Sequence, residues 1–370
     1  RYLNTTRETD GNKEVIFAIG SGDNYGIYSQ IPHGVTTYNG SPVGGWGGIA
    51  VFLNSVERFY TKNGKLPQYD HTFPDKSDWF ESAGLSNPDI IKLNVNREPR
   101  FYAWVCYDGG EYSSFIADGS PLILEARNSQ KHGYNPDRYN RDNNATGYFS
   151  KKRIQPNFQW RSQDNGNNYA HTPLAVIRLA ELYLNLAECH AALNSKQDVL
   201  DNLNIVRNRA GIPDLELSDI NSDMSLMDWV RSERYAELWF EGHRYFDARR
   251  WTIAPEVFKA GVREGLNAIA KKDPSFREFN QRVKVDQPFM WNNKMYLLPI
   301  NDSEIYSNPQ LVQSPEYLFR ITRIMKTILL KLILILGVCQ IVYSCSNEYS
   351  NDKLFPEQNI VFQERGQAYI

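Results

Sequence analysis

PLAVIRLAELYLNLAECHAALNSKQDVLDNLNIVRNRAGIP, residues 173–213, decides the fold. Ile177, Ala180, Leu184, Ala187 and Ala191 recur at the three-to-four spacing that draws one apolar stripe along a helix. Asn194-Ser195-Lys196 is too short a connection for anything but an antiparallel return. Val199, Leu203, Val206 and Ala210 share one face of the second helix, which Gly211 and Pro213 stop. The stretch therefore predicts a helical hairpin, the unit of tetratricopeptide-type arrays. One hairpin cannot bury both of its faces, so further helices must pack on it.

Downstream, Ser225-Leu-Met-Asp228 offers an N-cap with an acid three residues on, and predicts a third helix running through WVRSERYAELWFEGHRYFDARRW. Upstream, residues 1–169 are rich in turn signals, among them Gly20-Ser-Gly-Asp23 and Gly44-Gly-Trp-Gly-Gly48. Short extended segments are expected at Val15–Ile19, Phe101–Tyr107 and Ser114–Ile116. MYLLPIN, 295–301, reads as a strand broken by Pro299, with turns after it. The fold class is mostly α, a helical scaffold with long loops and a few short strands.

At 370 residues the chain buries a large core, and its 41 basic and 43 acidic residues nearly cancel, which speaks against a nucleic-acid partner. Arg1 opens the chain with no apolar stretch behind it, so the sequence reads as part of a longer one. Cys106 and Cys189 are the only cysteines before residue 320, too few for a disulfide framework or a zinc site. No nucleophile elbow, phosphate loop, metalloprotease motif or dinucleotide fingerprint occurs, and no cofactor is implied.

Glu233, Glu237 and Glu241 fall at four-residue spacing, with Arg234, Arg244 and Asp247 interleaved, and Arg231, Arg249 and Arg250 beside them. Three carboxylates on one helical face repel unless arginines bridge them. A glycosidase pair needs two carboxyls free of such bridges, and arginine on every side spoils the acid, so the cluster reads as a structural ion network. Asp137–Asn144, DRYNRDNN, has oxygens enough for calcium but not the ordered spacing of a calcium-binding loop, and reads as surface.

Aromatic residues make 13% of the chain, a mixture with Asn, Asp and Gly that suits saccharide or peptide recognition but that a large core also consumes. Tyr38 and Trp46 stand among glycines and small polar residues, where glycine lets a ligand approach the backbone. Together with Trp79 they are the candidate glycan-binding residues, sugar C–H faces stacking on the rings. Rings plugging the space beneath long loops are the alternative.

The stretches VIRLAELYLNLAECHAALN, LNIVRNRAGIP, ERYAELWFEGHRYFDARRW and YLLPINDSEIYSNPQLVQSPEY, in that order, resemble the C-terminal half of the SusD/RagB family of outer-membrane nutrient-binding lipoproteins. Asn96-Arg-Glu-Pro-Arg-Phe101, Thr146-Gly-Tyr148 and Lys151-Lys152 add to the resemblance, which covers residues 1–320. Glu98 stands where the family has Asp, and Ser314 and Glu316 replace the Asn and Gly of its closing motif. The resemblance implies a tetratricopeptide-like scaffold, lipid-anchored at the outer membrane, that captures glycans or peptides without catalysis. It also implies delivery of the ligand to a TonB-dependent transporter of the SusC type. A tetratricopeptide-like module for peptides or proteins is the second reading, and a glycoside hydrolase the third.

After a junction at 321–324, Met325-Lys326 begins a basic, then apolar segment, Ile328–Val342, interrupted by Lys331. Val342-Tyr-Ser-Cys345 resembles a lipobox, with Cys345 the acylated residue. Residues 325–345 therefore read as a lipoprotein signal, and 346–370 as the linker and first strand of a second lipoprotein. A genuine C-terminal anchor is the alternative.

Overall fold

The computed structural model describes residues 13–19, 30–32, 36–38, 41–43, 45–113, 122–154, 174–285, 291–308, 310–315 and 317. The chain divides into two compact units, 1–290 and 291–370.

Within the first unit the strands are β1 (Val15–Ile19), β2 (Thr36–Tyr38), β3 (Ser41–Val43), β4 (Val105–Cys106), β5 (Glu111–Ser113), β6 (Leu122–Ile123), β7 (Phe149–Ser150), β8 (Leu174–Arg178), β9 (Glu264–Leu266) and β10 (Arg282–Lys284). The helices are α1 (Leu53–Val56), α2 (Pro99–Trp104), α3 (Leu179–Ala192), α4 (Lys196–Ala210), α5 (Leu226–Glu237), α6 (His243–Arg250), α7 (Ala254–Val257) and α8 (Phe276–Phe279). The architecture is mostly α, a tetratricopeptide-like scaffold with long loops. Its strands pair as two-stranded ribbons, β1 with β8, β2 with β3, β4 with β7, β5 with β6 and β9 with β10.

The predicted hairpin is α3 and α4. Ala180, Leu184 and Ala187 are buried on the first helix, and Val199, Leu203, Val206 and Ala210 on the second. Asn194 takes the left-handed conformation that closes the short turn, and Gly211 does the same where α4 ends. These residues share a core with Tyr60, Leu215, Trp229 and Val230. Leu182, Leu186 and Leu193 of the hairpin stay exposed, with Ile205.

Several boundaries differ from the sequence reading. The first helix starts only at Leu179, because Leu174–Arg178 forms a strand against β1, with Ile19 opposite Leu174 and Val15 opposite Arg178. Ile177 is therefore a half-exposed strand residue and not part of the helical stripe. Its β-branched run, Val176-Ile177, accepts a strand once a distant partner supplies the ladder. Phe101–Tyr107, expected to be extended, is instead α2 followed by β4, since Pro99 presets the first helical turn. Ser114–Ile116 lies outside the described residues.

The third helix is two helices. Phe240 and Gly242 both adopt positive φ, 63° and 86°, and break the chain between α5 and α6. The cause is visible at the Glu237 carbonyl, which a continuing helix would offer to the amide of Glu241. Lys152 Nζ and Arg178 Nη2 donate to it instead, each at 2.9 Å. The start of α5 follows the sequence reading, with Ser225 accepting from the Asp228 amide in a capping box.

A second core lies in the loop-rich half, around Phe59, Phe101, Trp104, Tyr148, Phe149 and Trp239. Phe59 meets Phe101, Trp104 and Trp239 edge-on at 5.9, 6.3 and 5.4 Å between centroids. With so few ladders there, side chains satisfy the backbone. Arg97 is buried and donates to the carbonyls of Val56, Phe59 and Leu93 at 2.6, 2.7 and 2.8 Å. Burial brings its guanidinium down to about 10.

In the second unit MYLLPIN forms no strand: Asn293–Tyr296 is a 3-10 turn. Asn301 caps a short helix, α9 (Asp302–Ser307), where only turns were expected. Gln313 clips Ile300 at both its amide and its carbonyl, each at 2.8 Å, which satisfies the backbone around Pro299 in place of a ladder.

Candidate functional site

The glutamates singled out in the sequence sit at the centre of a buried ionic cluster. Glu233 accepts from Arg100 at 2.7 Å and from Arg207 at 3.1 Å. Glu237 accepts from Arg100 at 3.0 Å and Arg178 at 2.6 Å, and pairs with Arg209. Glu241, on the turn after α5, accepts from Lys152 at 2.6 Å and Arg178 at 2.7 Å. Arg100 also holds Glu98 at 2.6 Å, and Arg178 reaches Glu14 at 3.0 Å. Five carboxylates thus meet five cations, and the ensemble is close to neutral.

Sequence reasoning found the acids, and placed Arg234 and Asp247, which do pair, in the same network. The bridging cations arrive from α2, Lys152, β8 and α4, and not from the arginines interleaved with the glutamates. Arg234 serves a neighbouring set, donating to Asp247 at 2.7 Å and to Asn185 at 2.6 Å. Arg244 meets no carboxylate among the described residues and lies over the Tyr235 ring at 5.1 Å. Its place in the predicted network is corrected accordingly.

The electrostatics hold two of the three glutamates in the ionised form. Burial pushes the Glu237 carboxyl up, but Arg178, Arg209, Arg100 and Lys152 outweigh it and hold it well below the usual carboxylate range. Glu241 is lowered in the same way by Lys152 and Arg178 against burial. Glu98 is raised because burial dominates over Arg100. Lys152, fully buried with its ammonium 3.7 Å from the Trp104 centroid, is lowered by burial to about 7.

The three aromatic candidates part company. Trp79 is 1% exposed, its indole donating to the Pro74 carbonyl at 2.8 Å and its ring packed edge-on against Phe73. It is a core residue, and its assignment to a glycan surface is withdrawn. Trp46 is half-buried on the glycine loop. Tyr38 ends β2 opposite Ser41 of β3. That ribbon was missed, although Asn39-Gly40 between the strands is a strong short hairpin signal.

The glycines beside Trp46 have an internal reason. A Cβ on Gly45 would lie 2.1 Å from the Ile31 carbonyl oxygen and 2.6 Å from that of Pro32. Gly47, at positive φ, donates to the same Ile31 oxygen at 2.9 Å. The close backbone approach is thus to the chain itself, and it fixes the loop that carries Trp46. Sequence reasoning also passed over Tyr139, 74% exposed on the 135–144 loop. Arg138 anchors that loop by donating to the carbonyls of Ser129, Gly133 and Lys131 at 2.6, 3.1 and 3.0 Å. Among the described residues no group of acids, histidines and cysteines is placed to hold a metal.

The structure of BT4246 is 49% identical, with a TM-score of 0.80, over 86% of this chain and 54% of that one. A SusD-like carbohydrate binding protein (BF0978) from Bacteroides fragilis is 25% identical, with a TM-score of 0.52, over 81% and 55%. SusD-like protein P25 of Formosa agariphila is 33% identical over 153 residues, 41% of this chain and 25% of its own length. The chain therefore spans about half the length of these structures and a quarter of that relative. The model of the SusD family matches residues 13–317, on the same hairpin, split charged helix and closing turns described above, and the chain belongs to that family.

Proposed function

We propose that this chain is part of a non-catalytic glycan-binding protein of the outer-membrane surface that hands oligo- or polysaccharide to a TonB-dependent, SusC-like transporter. The observation that carries this is the family match across residues 13–317. The carbohydrate-binding description of the Bacteroides fragilis structure points the same way. Trp46 and Tyr38 are the rings proposed to stack on sugar, joined by Tyr139, whose exposed ring is held out by a pinned loop. Catalysis has no support from the one carboxylate cluster that sequence singled out, because its acids are locked by guanidinium groups.

The test is native affinity electrophoresis of the complete protein in gels containing a broad polysaccharide panel. Retardation by a glycan, weakened by Trp46→Ala with the melting temperature unchanged, is the expected result. No retardation across the panel, together with co-purification of a transporter, would transfer the protein to the peptide- or protein-binding reading. Turnover of any retarding glycan that Glu233→Gln or Glu237→Gln abolishes would make it a hydrolase.

Residues 325–345, with Cys345 as the acylated position, and 346–370 lie outside the described residues. They are proposed as the start of a neighbouring lipoprotein, since the family match ends at 317. Sequencing the gene across codons 315–330 decides this: a stop codon before Met325 is expected, and an uninterrupted frame refutes it.

A further inference from the structure

Unlike the neutral cluster inside, the arginines along the outer side of α5 and α6 outnumber their acids. Across the break between the two helices cations and rings interlock. Arg231 of α5 lies over the Trp251 ring at 5.1 Å, and four residues on, Tyr235 receives Arg244 of α6 at 5.1 Å. Arg58, from the segment after α1, lies over the same Tyr235 ring at 4.9 Å. Tyr235 is fixed from below by a 2.8 Å hydrogen bond between its hydroxyl and Ser55 Oγ.

The carboxylates nearby are already committed. Asp247 is divided between Arg234 and Arg250, at 2.7 and 2.9 Å, and Glu188 is engaged by Arg250 and by the Trp251 indole. Arg58, Arg231 and Arg244 form no ion pair among the described residues. The Arg231 Nε is buried without a hydrogen-bond partner. Arg244 is lowered by burial and, after it, by the charge of Arg58, with Arg231 adding to the same effect. Two guanidinium groups repelling a third, beside two aromatic rings, are an arrangement that an anion stabilises.

We propose that Arg58, Arg231 and Arg244, with the Tyr235 and Trp251 rings, form a site for an anionic substituent on a saccharide, a sulfate ester or a uronate carboxylate. The guanidinium forks, held over the Tyr235 and Trp251 rings, suit a two-oxygen anion bidentately. This deepens the glycan reading and rests on it.

The test compares the complete protein with Arg58→Gln/Arg244→Gln in native gels containing heparin, polygalacturonate or neutral dextran, after circular dichroism has shown both to be folded. Retardation by heparin or polygalacturonate is expected, weakened in the variant by about tenfold to a hundredfold, the loss of one to two charge-assisted contacts. The Arg58→Lys/Arg244→Lys variant, which keeps charge without the fork, should fall between the two. Heparin alone identifies sulfate and polygalacturonate alone identifies carboxylate. Dextran retardation only, or acidic retardation that the substitutions leave untouched, overturns the proposal. Melting temperature with inorganic sulfate at fixed ionic strength separates the two readings. Stabilisation that the Gln variant loses, with no glycan retardation of any kind, leaves an anion site and removes the glycan reading. Absence of both removes the site.

Discussion

Replacing Arg100 with Met tests whether the buried ionic cluster holds the two halves of the first unit together. Arg100 is nearly the size of Met in its stem and makes three contacts, to Glu98, Glu233 and Glu237, at 2.6, 2.7 and 3.0 Å. Glu233 keeps Arg207, and Glu237 keeps Arg178 and Arg209. Glu98 keeps only the Tyr60 amide, at 2.8 Å, and loses its cation. Breaking a buried pair from one side costs about 3–5 kcal/mol, against a total of roughly 5–15 kcal/mol for a native domain. At about 2–4 °C per kcal/mol, the melting temperature should fall by roughly 10 °C.

The sign of the pH dependence follows from Glu98. Burial already raises its folded-state carboxyl above the ordinary glutamate range, so the folded form binds more protons than the unfolded form just above that range. Stability from this group therefore falls as pH rises through that window. Without Arg100 the shift grows, so the deficit of Arg100→Met should shrink on acidification toward pH 4.5. Adding Glu98→Gln should recover part of it at pH 7. Urea unfolding across pH reads both effects. A loss below about 1 kcal/mol at pH 7, or a Glu98→Gln substitution that deepens the loss, would refute the argument.

Trp79→Ala should cost about 3–5 kcal/mol in urea unfolding and leave glycan retardation of the remaining folded protein unchanged; loss of retardation at an unchanged melting point would return Trp79 to the ligand surface. Gly45→Ala forces a methyl onto the Ile31 carbonyl, and should lower stability by about 1–3 kcal/mol while weakening any binding through Trp46. An unshifted melting temperature contradicts it. Against burial, Glu237 is depressed by its arginines, so its contribution is fully present above the ordinary glutamate range and is lost as pH falls below it. Glu237→Gln should flatten the acid side of the stability curve, which a thermal-melting series down to pH 3 would show or deny.

The hairpin was legible because both apolar stripes and both stops are local. Ala180, Leu184, Val199 and Leu203 lie at the expected spacing, and Gly211 closes the second helix. Arg178 shows where local reading ends, since only the distant Val15–Ile19 strand turns 174–178 into β8. The split between α5 and α6 was hidden for the same reason. Gly242 hinted at it, but the groups that take the Glu237 carbonyl come from residues 152 and 178. Aromatic candidates misled because composition does not register depth. Trp79 and Trp46 both stand among polar neighbours, yet one is sealed beneath the loops.

The ionic cluster also bears on how the chain reaches its fold. Its bonds join residues 133, 137, 85 and 59 positions apart, for Arg100 with Glu233, Arg100 with Glu237, Lys152 with Glu237, and Arg178 with Glu237. None of these ions can shed water profitably until the others have arrived, since a partial cluster is an uncompensated charge in a dry space. The α3–α4 hairpin, whose contacts are local, can form early, whereas closure of the cluster waits for segments spread over more than half of the first unit. The sequence separations therefore place closure of the cluster after the hairpin in the order of assembly.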